Sequence, residues 1–213
     1  MKLKYDAVLF DLLTALLDSW SVWNESAGSE AAGRRWRAEY LKRTYGCGAY
    51  RPYETLVREA AEAAGLDARC ADALDGKWPE LAPWPDAQPV LSALRATHRL
   101  GVVTNCSEQK GRAAAERVGV RFDVVVSAER AGYYKPDPRP YRVALETLEL
   151  PAERVLFVAG SGYDLFGTHA VGLDTYWHNR LGIAAPQGAP APLVESRSLH
   201  GLPALALTAR AAP

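Results

Sequence analysis

An excess of either charge is missing from this sequence. Lys and Arg number 25 and Asp and Glu number 25, so the 213 residues carry a formal net charge of zero. Nucleic-acid-binding proteins need a cationic excess, because they must displace the counterions condensed on the phosphate backbone. No apolar run approaches the roughly 20 residues that a membrane span requires. We therefore expect neither a nucleic acid nor a membrane among the partners.

Cysteine is scarce as well. The three cysteines (Cys47, Cys70 and Cys106) are an odd number without metal-type spacing, which argues against a disulfide framework and a cysteine metal site. We expect free thiols in a reducing, cytoplasmic setting. The start, MKLKYDAVLFD, has no small-residue cleavage site, so no secretory signal is expected. With 48% apolar and 23% charged residues, the composition indicates one globular core, with room for an insertion.

Short apolar runs recur along the chain and alternate with helical patterns. The runs cover residues 6–11, 100–104, 122–127, 155–159 and 174–177, with a last short strand near 193–196. The helical patterns cover residues 89–97, 109–118, 140–148 and 164–171. Near-continuous apolar runs suit strands that are buried on both faces of a parallel sheet. The alternation predicts an open, doubly wound α/β sheet.

The stretch from residue 16 to residue 86 interrupts this alternation. It contains no convincing strand, and its apolar residues recur at spacings of three and four. A Pro-rich segment, PELAPWPDAQP, then leads back to the sheet. We predict a core domain of residues 1–15 and 87–213 and an all-helical cap domain of residues 16–86. Residues 182–192, which are rich in Pro, Gly and Ala, are predicted to be irregular.

Polar residues follow four of the predicted strands. They are Asp11, then Thr104 and Asn105, then Lys135, and finally Ser161 and Asp164. Each residue taken singly is explained by a helix cap or a surface position. In an open α/β sheet, however, ligands bind outside the carboxyl ends of the strands, where the strand order reverses. The set as a whole therefore indicates a binding or catalytic site.

Four segments, VLFDLLTALLDS, VVTNCS, YYKPDPRPY and VLFVAGSGYD, resemble the motifs of the haloacid dehalogenase (HAD) superfamily in order and spacing. The resemblance covers nearly the whole chain. It implies a Rossmann-like core, a helical cap inserted after the first strand, and a nucleophilic aspartate at the end of that strand, which is Asp11 here.

The sequence departs from HAD phosphatases at two places. Those enzymes have an acid two residues after the nucleophile, followed by Gly-Thr, and a fourth motif whose acid binds Mg²⁺. The first three positions are Leu13, Thr14 and Ala15 here, and the fourth-motif positions are Ala159, Gly160 and Ser161. One carboxylate for proton transfer and one for the metal are therefore missing.

The missing carboxylates favour a halide as the leaving group. Phosphate-ester hydrolysis must spread charge over several oxygens, for which HAD phosphatases use Mg²⁺, and its alkoxide leaving group needs a proton from a positioned acid. A halide leaves as a stable anion and needs neither. The chain thus resembles most the metal-independent 2-haloacid dehalogenases. We predict that it needs no metal or other cofactor and that Lys135 pairs directly with Asp11, because a nearby positive charge keeps a carboxylate ionised.

The same resemblance implies roles for further residues. Tyr141, six residues after Lys135, matches a family tyrosine, and Arg37 in WRAEYLKRTY matches the arginine that captures the halide. Arg34, Arg35 and Arg43 compete for that second role. Of the six tryptophans, most are expected to pack in the interior, and one or two from the cap to line an apolar halide pocket. The four histidines form no ligand spacing and receive no role.

The mechanism predicted from these matches has two steps. Asp11 attacks the carbon that bears the halogen and forms an ester. Water oriented by Asp164, with help from Lys135 and Ser161, then hydrolyses that ester. The substrate, a small carboxylate, is held by Thr104, by Asn105, and by backbone N–H groups near Leu12 and Leu13. The resemblance also implies a homodimer.

Two alternatives stay open at this point. One is a phosphatase or phosphonatase-like hydrolase in which the Leu13 carbonyl and Asp164 hold Mg²⁺. The other is a catalytically degenerate HAD domain that serves as a binding protein. The second is motivated by Ala15 and Ala159, which replace a threonine and a serine of the family motifs.

Overall fold

A computed structural model describes residues 3–207 of the chain and contains a six-stranded parallel sheet. The strands are β1 (Ala7–Phe10), β2 (Arg99–Thr104), β3 (Val124–Ser127), β4 (Val155–Ala159), β5 (Asp174–His178) and β6 (Val194–Ser196). Their order is β3-β2-β1-β4-β5-β6. Every predicted strand is present, and the predicted α/β class is confirmed. Residues 1–2 and 208–213 of the predicted core domain lie outside the described residues.

Helices connect the strands and cover both faces of the sheet. They are α1 (Ser19–Ser26), α2 (Glu30–Gly46), α3 (Tyr53–Ala63), α4 (Arg69–Gly76), α5 (Ala87–Arg95), α6 (Glu108–Arg117), α7 (Ala128–Ala131), α8 (Pro138–Leu148), α9 (Asp164–Ala170) and α10 (Leu202–Ala206), with 3₁₀ turns at Trp78–Glu80 and Ala152–Arg154. Their ends follow the expected chemistry. The Asp137 carboxylate caps α8 by accepting from the Arg139 N–H, and a proline occupies the first position of that helix.

The sheet is buried on both sides, and this fixes the position of Asp11. Successive residues of β1 alternate between two apolar clusters, with Val8 and Phe10 on one face and Ala7 and Leu9 on the other. All four side chains are fully buried. Because burial of large apolar side chains is the main source of stability, β1 cannot shift along the sheet without loss of both clusters. The residue that follows β1 is therefore held firmly at the carboxyl edge.

Helices α1–α4 form the helical insertion between β1 and β2. Trp36 is fully buried there, and its Nε1 donates to the Val57 carbonyl oxygen at 2.8 Å. The chain enters and leaves the insertion side by side, through an antiparallel bridge between Leu17 and Pro83. This bridge lies close to the predicted cap boundaries at residues 16 and 86. The division into domains at those residues stays a prediction.

Within residues 3–207, no helix has both the length and the apolar character needed to cross a membrane. The three cysteines are free thiols, as predicted, and Cys106 is buried. The cytoplasmic setting and the homodimer stay predictions.

Candidate active site

Three charged side chains meet at the carboxyl ends of β1 and β4. Lys135 Nζ lies 2.8 Å from Asp11 Oδ1 and 3.0 Å from Asp164 Oδ1. Asp11 directly follows β1, Asp164 begins α9 after β4, and Lys135 lies in the loop before α8. All three side chains are buried, with at most 9% of any of them exposed. The structure therefore brings together the three residues predicted to be catalytic.

The second oxygen of Asp11 is held by the turn that follows it. Asp11 Oδ2 accepts from the Thr14 N–H at 2.9 Å, the Thr14 hydroxyl at 2.6 Å and the Ala15 N–H at 3.1 Å. Burial alone would raise the pKa of Asp11, but the Lys135 charge and the Thr14 hydrogen bonds outweigh it and lower that pKa. Asp11 is thus an ionised carboxylate in fixed orientation. Sequence analysis missed Thr14, although its hydroxyl in the turn after the nucleophile was a usable signal.

Asp164 has the opposite electrostatic character. Its Oδ1 accepts from the Tyr141 hydroxyl at 2.8 Å, whereas its buried Oδ2 has no hydrogen-bond partner among the described residues. Burial and the charge of Asp11 raise the pKa of Asp164, despite Lys135 and Tyr141. Two carboxylates on one lysine therefore have pKa values shifted in opposite directions. Two carboxylates whose pKa values are shifted apart in this way are suited to different roles, here a nucleophile and a general base.

Asn105 holds Lys135 in place. The Lys135 N–H donates to Asn105 Oδ1 at 2.7 Å, and Asn105 Nδ2 donates to the Lys135 carbonyl oxygen at 2.9 Å. The Tyr40 hydroxyl in turn donates to the Asn105 carbonyl oxygen at 2.8 Å, which ties the helical insertion to this loop. An amide carries two N–H donors, so Asn105 retains one for a ligand. Its predicted contact with substrate stays a prediction.

A cavity of about 160 Å³ opens above the three charged groups. Its walls from the helical insertion include Trp20, Trp23, Arg37, Tyr40, Tyr45 and Tyr53. Leu13, whose backbone N–H is predicted to bind substrate, and Ser161, which is predicted to help orient water, also line it. This volume and the largely aromatic walls suit a small organic ligand with a few polar groups.

Arg37 is the cation that the insertion contributes to the cavity. Its Nη1 donates to the Ser19 hydroxyl at 3.0 Å, and its guanidinium lies 4.1 Å from the Trp20 ring centroid. Within residues 3–207 it forms no ion pair. Arg34 and Arg43, by contrast, pair with glutamates on their own helix. A half-buried cation that faces a cavity without a carboxylate partner is suited to bind an anion.

Three residues that the sequence analysis selected for the site, Leu12, Thr104 and Tyr141, do not line the cavity. The Leu12 side chain is fully buried in the apolar core, and the contact predicted for its backbone N–H stays a prediction. The Thr104 hydroxyl lies 3.6 Å from Cys106 Sγ. The Tyr141 side chain lies behind Asp164 rather than facing the cavity. Thr104 is the last residue of the buried strand β2 and its side chain is itself buried. The next residue, Asn105, is the one that lines the cavity. The substrate contacts predicted for Thr104 and Tyr141 stay predictions.

The segment predicted to be irregular supplies a wall that sequence analysis missed. Ile183 and Pro186 line the cavity, although they are far from the catalytic residues in sequence. Asn179 fixes this segment, since its Nδ2 donates to the Ile183 carbonyl oxygen and its Oδ1 accepts from the Ile183 N–H, both at 2.8 Å. No motif marks such residues, because their contribution is shape rather than chemistry.

Gly160 is explained by the turn that holds Asp11. A Cβ atom at this position would lie 2.2 Å from Thr14 Oγ1 and 2.3 Å from the Ala15 nitrogen. Both contacts are far below van der Waals distance, and the second is to backbone. The turn therefore packs against Gly160 so closely that no side chain fits there.

This packing predicts that Gly160→Ala destabilises the protein by about 2 kcal/mol, as overpacking of a rigid site does. It should also lower activity, because Thr14 must move away from Asp11. Urea unfolding measures the first effect. The matched control is Gly76→Ala. Neither Gly76 nor Gly160 has a positive φ, so alanine can adopt the backbone conformation of both, and a Cβ at Gly76 meets nothing within 4 Å. Equal stabilities for the two variants would contradict the steric account.

Lys135→Met tests the charge balance through pH. Without the lysine, two buried carboxylates face each other, so the pKa of one rises and the folded state binds an extra proton. A raised folded-state pKa gives stability that is lost as the pH rises. We expect the variant to lose about 3–5 kcal/mol at pH 8 and clearly less at pH 5.

Urea unfolding at the two pH values measures this difference. Lys77→Met is the control, because Lys77 forms ion pairs with Glu25 and Glu80 at the surface. Its effect should be small and equal at both pH values. A loss for Lys135→Met that does not depend on pH would show that the two carboxylates are not coupled through this lysine.

The fold and the site together define a class of protein. Asp11 and Asp164 follow β1 and β4, the neighbouring strands at which the order of a Rossmann-like sheet reverses, and the cavity lies between them and an inserted group of helices. The chain belongs to the haloacid dehalogenase-like hydrolase family, which matches residues 5–172. The superfamily predicted from the motifs is thereby confirmed.

Named relatives are similar over almost the whole chain. The chain is 30% identical over 211 residues to (S)-2-haloacid dehalogenase H-109 of Pseudomonas putida, covering 91% of this chain and 94% of that protein. A crystal structure of an L-2-haloacid dehalogenase superposes with a TM-score of 0.86 at 26% identity, covering 96% of this chain and all of the other. A second structure is that of the L-2-haloacid dehalogenase of Xanthobacter autotrophicus with chloropropionic acid covalently bound. It superposes with a TM-score of 0.81 at 26% identity, covering 94% of this chain and 98% of the other.

Proposed function

We propose that this protein is a metal-independent hydrolytic dehalogenase that acts on small 2-haloacids through an ester on Asp11. One observation carries the proposal: Asp11 and Asp164 share the Lys135 ammonium at the floor of a small cavity whose opposite wall presents the unpaired Arg37. Relatives that are named 2-haloacid dehalogenases support the substrate class.

In the first step, a carboxylate oxygen of Asp11 attacks the carbon that carries the halogen. A carbon–oxygen bond forms, and the carbon–halogen bond breaks with its electron pair on the halide. The lowered pKa of Asp11 keeps the nucleophile ionised. Arg37 receives the departing anion, and its position over Trp20 keeps the guanidinium directed at the cavity.

In the second step, water attacks the carboxyl carbon of the Asp11 ester. The unpartnered Asp164 Oδ2 is the acceptor for the water proton, and the raised pKa of Asp164 makes it a stronger base. The three donors that bind Asp11 Oδ2 stabilise the negative charge that develops on that oxygen. As the intermediate collapses, the carbon–oxygen bond to the alkoxide breaks and the proton of the newly added hydroxyl passes to the alkoxide oxygen. This releases the 2-hydroxy acid and restores the Asp11 carboxylate, and Asp164 then loses its proton to solvent.

The residues at the site do not fit the Mg²⁺ ion of HAD phosphatases. Magnesium takes near-octahedral oxygen ligands and is held by one or two carboxylates together with water and phosphate. Here Lys135 Nζ already bridges Asp11 and Asp164, and the packing around Gly160 excludes an acid at the fourth-motif position. A second cation in the same place would be repelled by the ammonium. This chemistry disfavours the phosphatase alternative.

A halide-release assay tests the proposal. The purified protein is incubated with chloroacetate or 2-chloropropionate in excess EDTA, and chloride and the hydroxy acid are quantified by ion chromatography. We expect equal amounts of both products at a rate that EDTA does not change. Absence of chloride above an Asp11→Asn control would refute the proposal. Mg²⁺-dependent phosphate release from p-nitrophenyl phosphate would instead support the phosphatase alternative.

A further inference from the structure

Tyr53 carries a buried hydroxyl without a partner. It is the first residue of α3, it lines the cavity, and 2% of its surface is exposed. Among the described residues, no hydrogen-bond partner lies within reach of this hydroxyl. Such a group costs free energy in the folded state, so buried hydroxyls without partners are rare and need an explanation.

Other buried tyrosines show how unusual this is. Five of them donate to a protein acceptor: Tyr5 to Asp174, Tyr40 to the Asn105 carbonyl, Tyr134 to the Arg51 carbonyl, Tyr141 to Asp164 and Tyr176 to the Ser198 carbonyl. Tyr53 is the exception within residues 3–207, and it is also a residue of the cavity wall. Its missing partner is therefore expected to be something that enters the cavity.

Arg37 identifies the chemistry of that partner. Arg37 and Tyr53 line the same cavity. Two aromatic rings lie between them, because the guanidinium is 5.5 Å from the Trp23 ring centroid, Trp23 packs on Tyr40, and the ring centroids of Tyr40 and Tyr53 are 5.7 Å apart. Both side chains are donors, and Arg37 has no carboxylate partner in the described structure. Two donors that line one cavity without an acceptor between them are suited to a small anion.

Tyr53 also lines a second cavity of about 150 Å³. That cavity is lined by Glu54, Asp72 and Asp75, opposite Arg58 and Lys110. Its acidic groups make it a poor place for an anion, although the hydroxyl could reach water there. The two cavities therefore predict different results when the hydroxyl is removed. Halide release changes if the hydroxyl serves the first cavity, and chloride binding is unaffected if it serves the second.

We propose that the Tyr53 hydroxyl donates a hydrogen bond to the leaving halide beside Arg37, which makes Tyr53 a determinant of halogen specificity. This inference rests on the proposed dehalogenase function. The bond strengthens as negative charge develops on the halogen, so it acts in the transition state. Chloride is a stronger hydrogen-bond acceptor and a poorer leaving group than bromide. Chlorinated substrates should therefore depend more on Tyr53 than brominated ones.

The test compares Tyr53→Phe with Tyr5→Phe, a buried tyrosine at the other end of β1 whose hydroxyl donates to Asp174. We expect Tyr53→Phe to lower kcat/KM for chloroacetate about 10- to 100-fold, and for bromoacetate clearly less. Its melting temperature should be equal to or above that of the wild type, because an unpaired buried hydroxyl is removed. Tyr5→Phe should show the reverse, with a lower melting temperature and unchanged rates.

Chloride binding separates this inference from the proposed function. Calorimetric titration with sodium chloride, against sodium gluconate at the same ionic strength, should show weaker chloride binding for Tyr53→Phe than for the wild type. If the wild type releases no halide but binds chloride through Tyr53, the proposed function fails and the anion site stands. Equal losses on chloroacetate and bromoacetate, together with unchanged chloride binding, would overturn the inference and assign the hydroxyl to the second cavity.

Discussion

The Asp11→Asn variant is expected to release halide at least about 10⁴-fold more slowly than the wild type, because removing a covalent nucleophile has effects of this size. A neutral amide does not displace a halide at a useful rate. It also loses the attraction to Lys135, which in the wild type keeps Asp11 ionised. The fold should persist, since Lys135 still pairs with Asp164.

Chloride release from 2-chloropropionate measures this effect, both in steady state and with enzyme in excess. Asp67→Asn is the control, because Asp67 is an exposed acid that pairs with Arg69 in the helical insertion. It should retain wild-type rates. The variant must be checked by peptide mass for reversion of the asparagine to aspartate. Halide release by intact Asp11→Asn at rates near the wild type would rule out the ester mechanism and leave direct attack by water.

Much of the fold could be predicted because this sheet hides both of its faces. A parallel strand without a solvent side reads as an unbroken apolar run, as VLFVA does at β4. The end of each run then marks the edge where function is expected. Asp11, Lys135 and Asp164 could be selected from the sequence on that basis. The helical insertion was recognisable for the complementary reason, as a long stretch without such runs.

Other parts of the site could not be predicted, because they depend on distances rather than on residue type. Thr104 and Asn105 are neighbours at one strand end, yet only Asn105 reaches the cavity. Ile183 enters the wall through a segment without regular structure. In the sequence, Tyr53 fits an ordinary buried position of α3. Only the structure shows that its buried hydroxyl has no hydrogen-bond partner among the described residues.

The two departures at Thr14 and Gly160 illustrate the same limit. Taken singly, each is a departure from the phosphatase motif: Thr14 stands at a glycine position, and Gly160 stands at an acid position. In the structure the two residues touch, because Thr14 Oγ1 occupies the space that a side chain at position 160 would need. That same oxygen donates to Asp11 at 2.6 Å. The hydroxyl missing at Ala15 is thus supplied one residue earlier, which weakens the case for a degenerate protein.

Asp164→Asn is expected to separate the two steps of the reaction. The asparagine keeps the size of the aspartate and can accept from the Tyr141 hydroxyl, but it cannot take the proton of the attacking water. Asp11 should still displace the halide. Hydrolysis of the ester should slow by about 10²–10⁴-fold, the usual contribution of a general base. The variant should therefore release one halide per active site rapidly and then nearly stop.

Rapid quench with ion chromatography measures the burst, and the mass of the intact protein identifies the ester on the peptide that contains Asp11. In the wild type, turnover should fall as the pH drops through the raised pKa of Asp164, because a protonated Asp164 cannot take the proton of the attacking water. The residual hydrolysis by Asp164→Asn should not follow that titration. Asp67→Asn should show full turnover without a trapped ester. Continuous turnover by Asp164→Asn would instead assign the activation of water to another group, whereas the absence of a burst would place Asp164 in the first step.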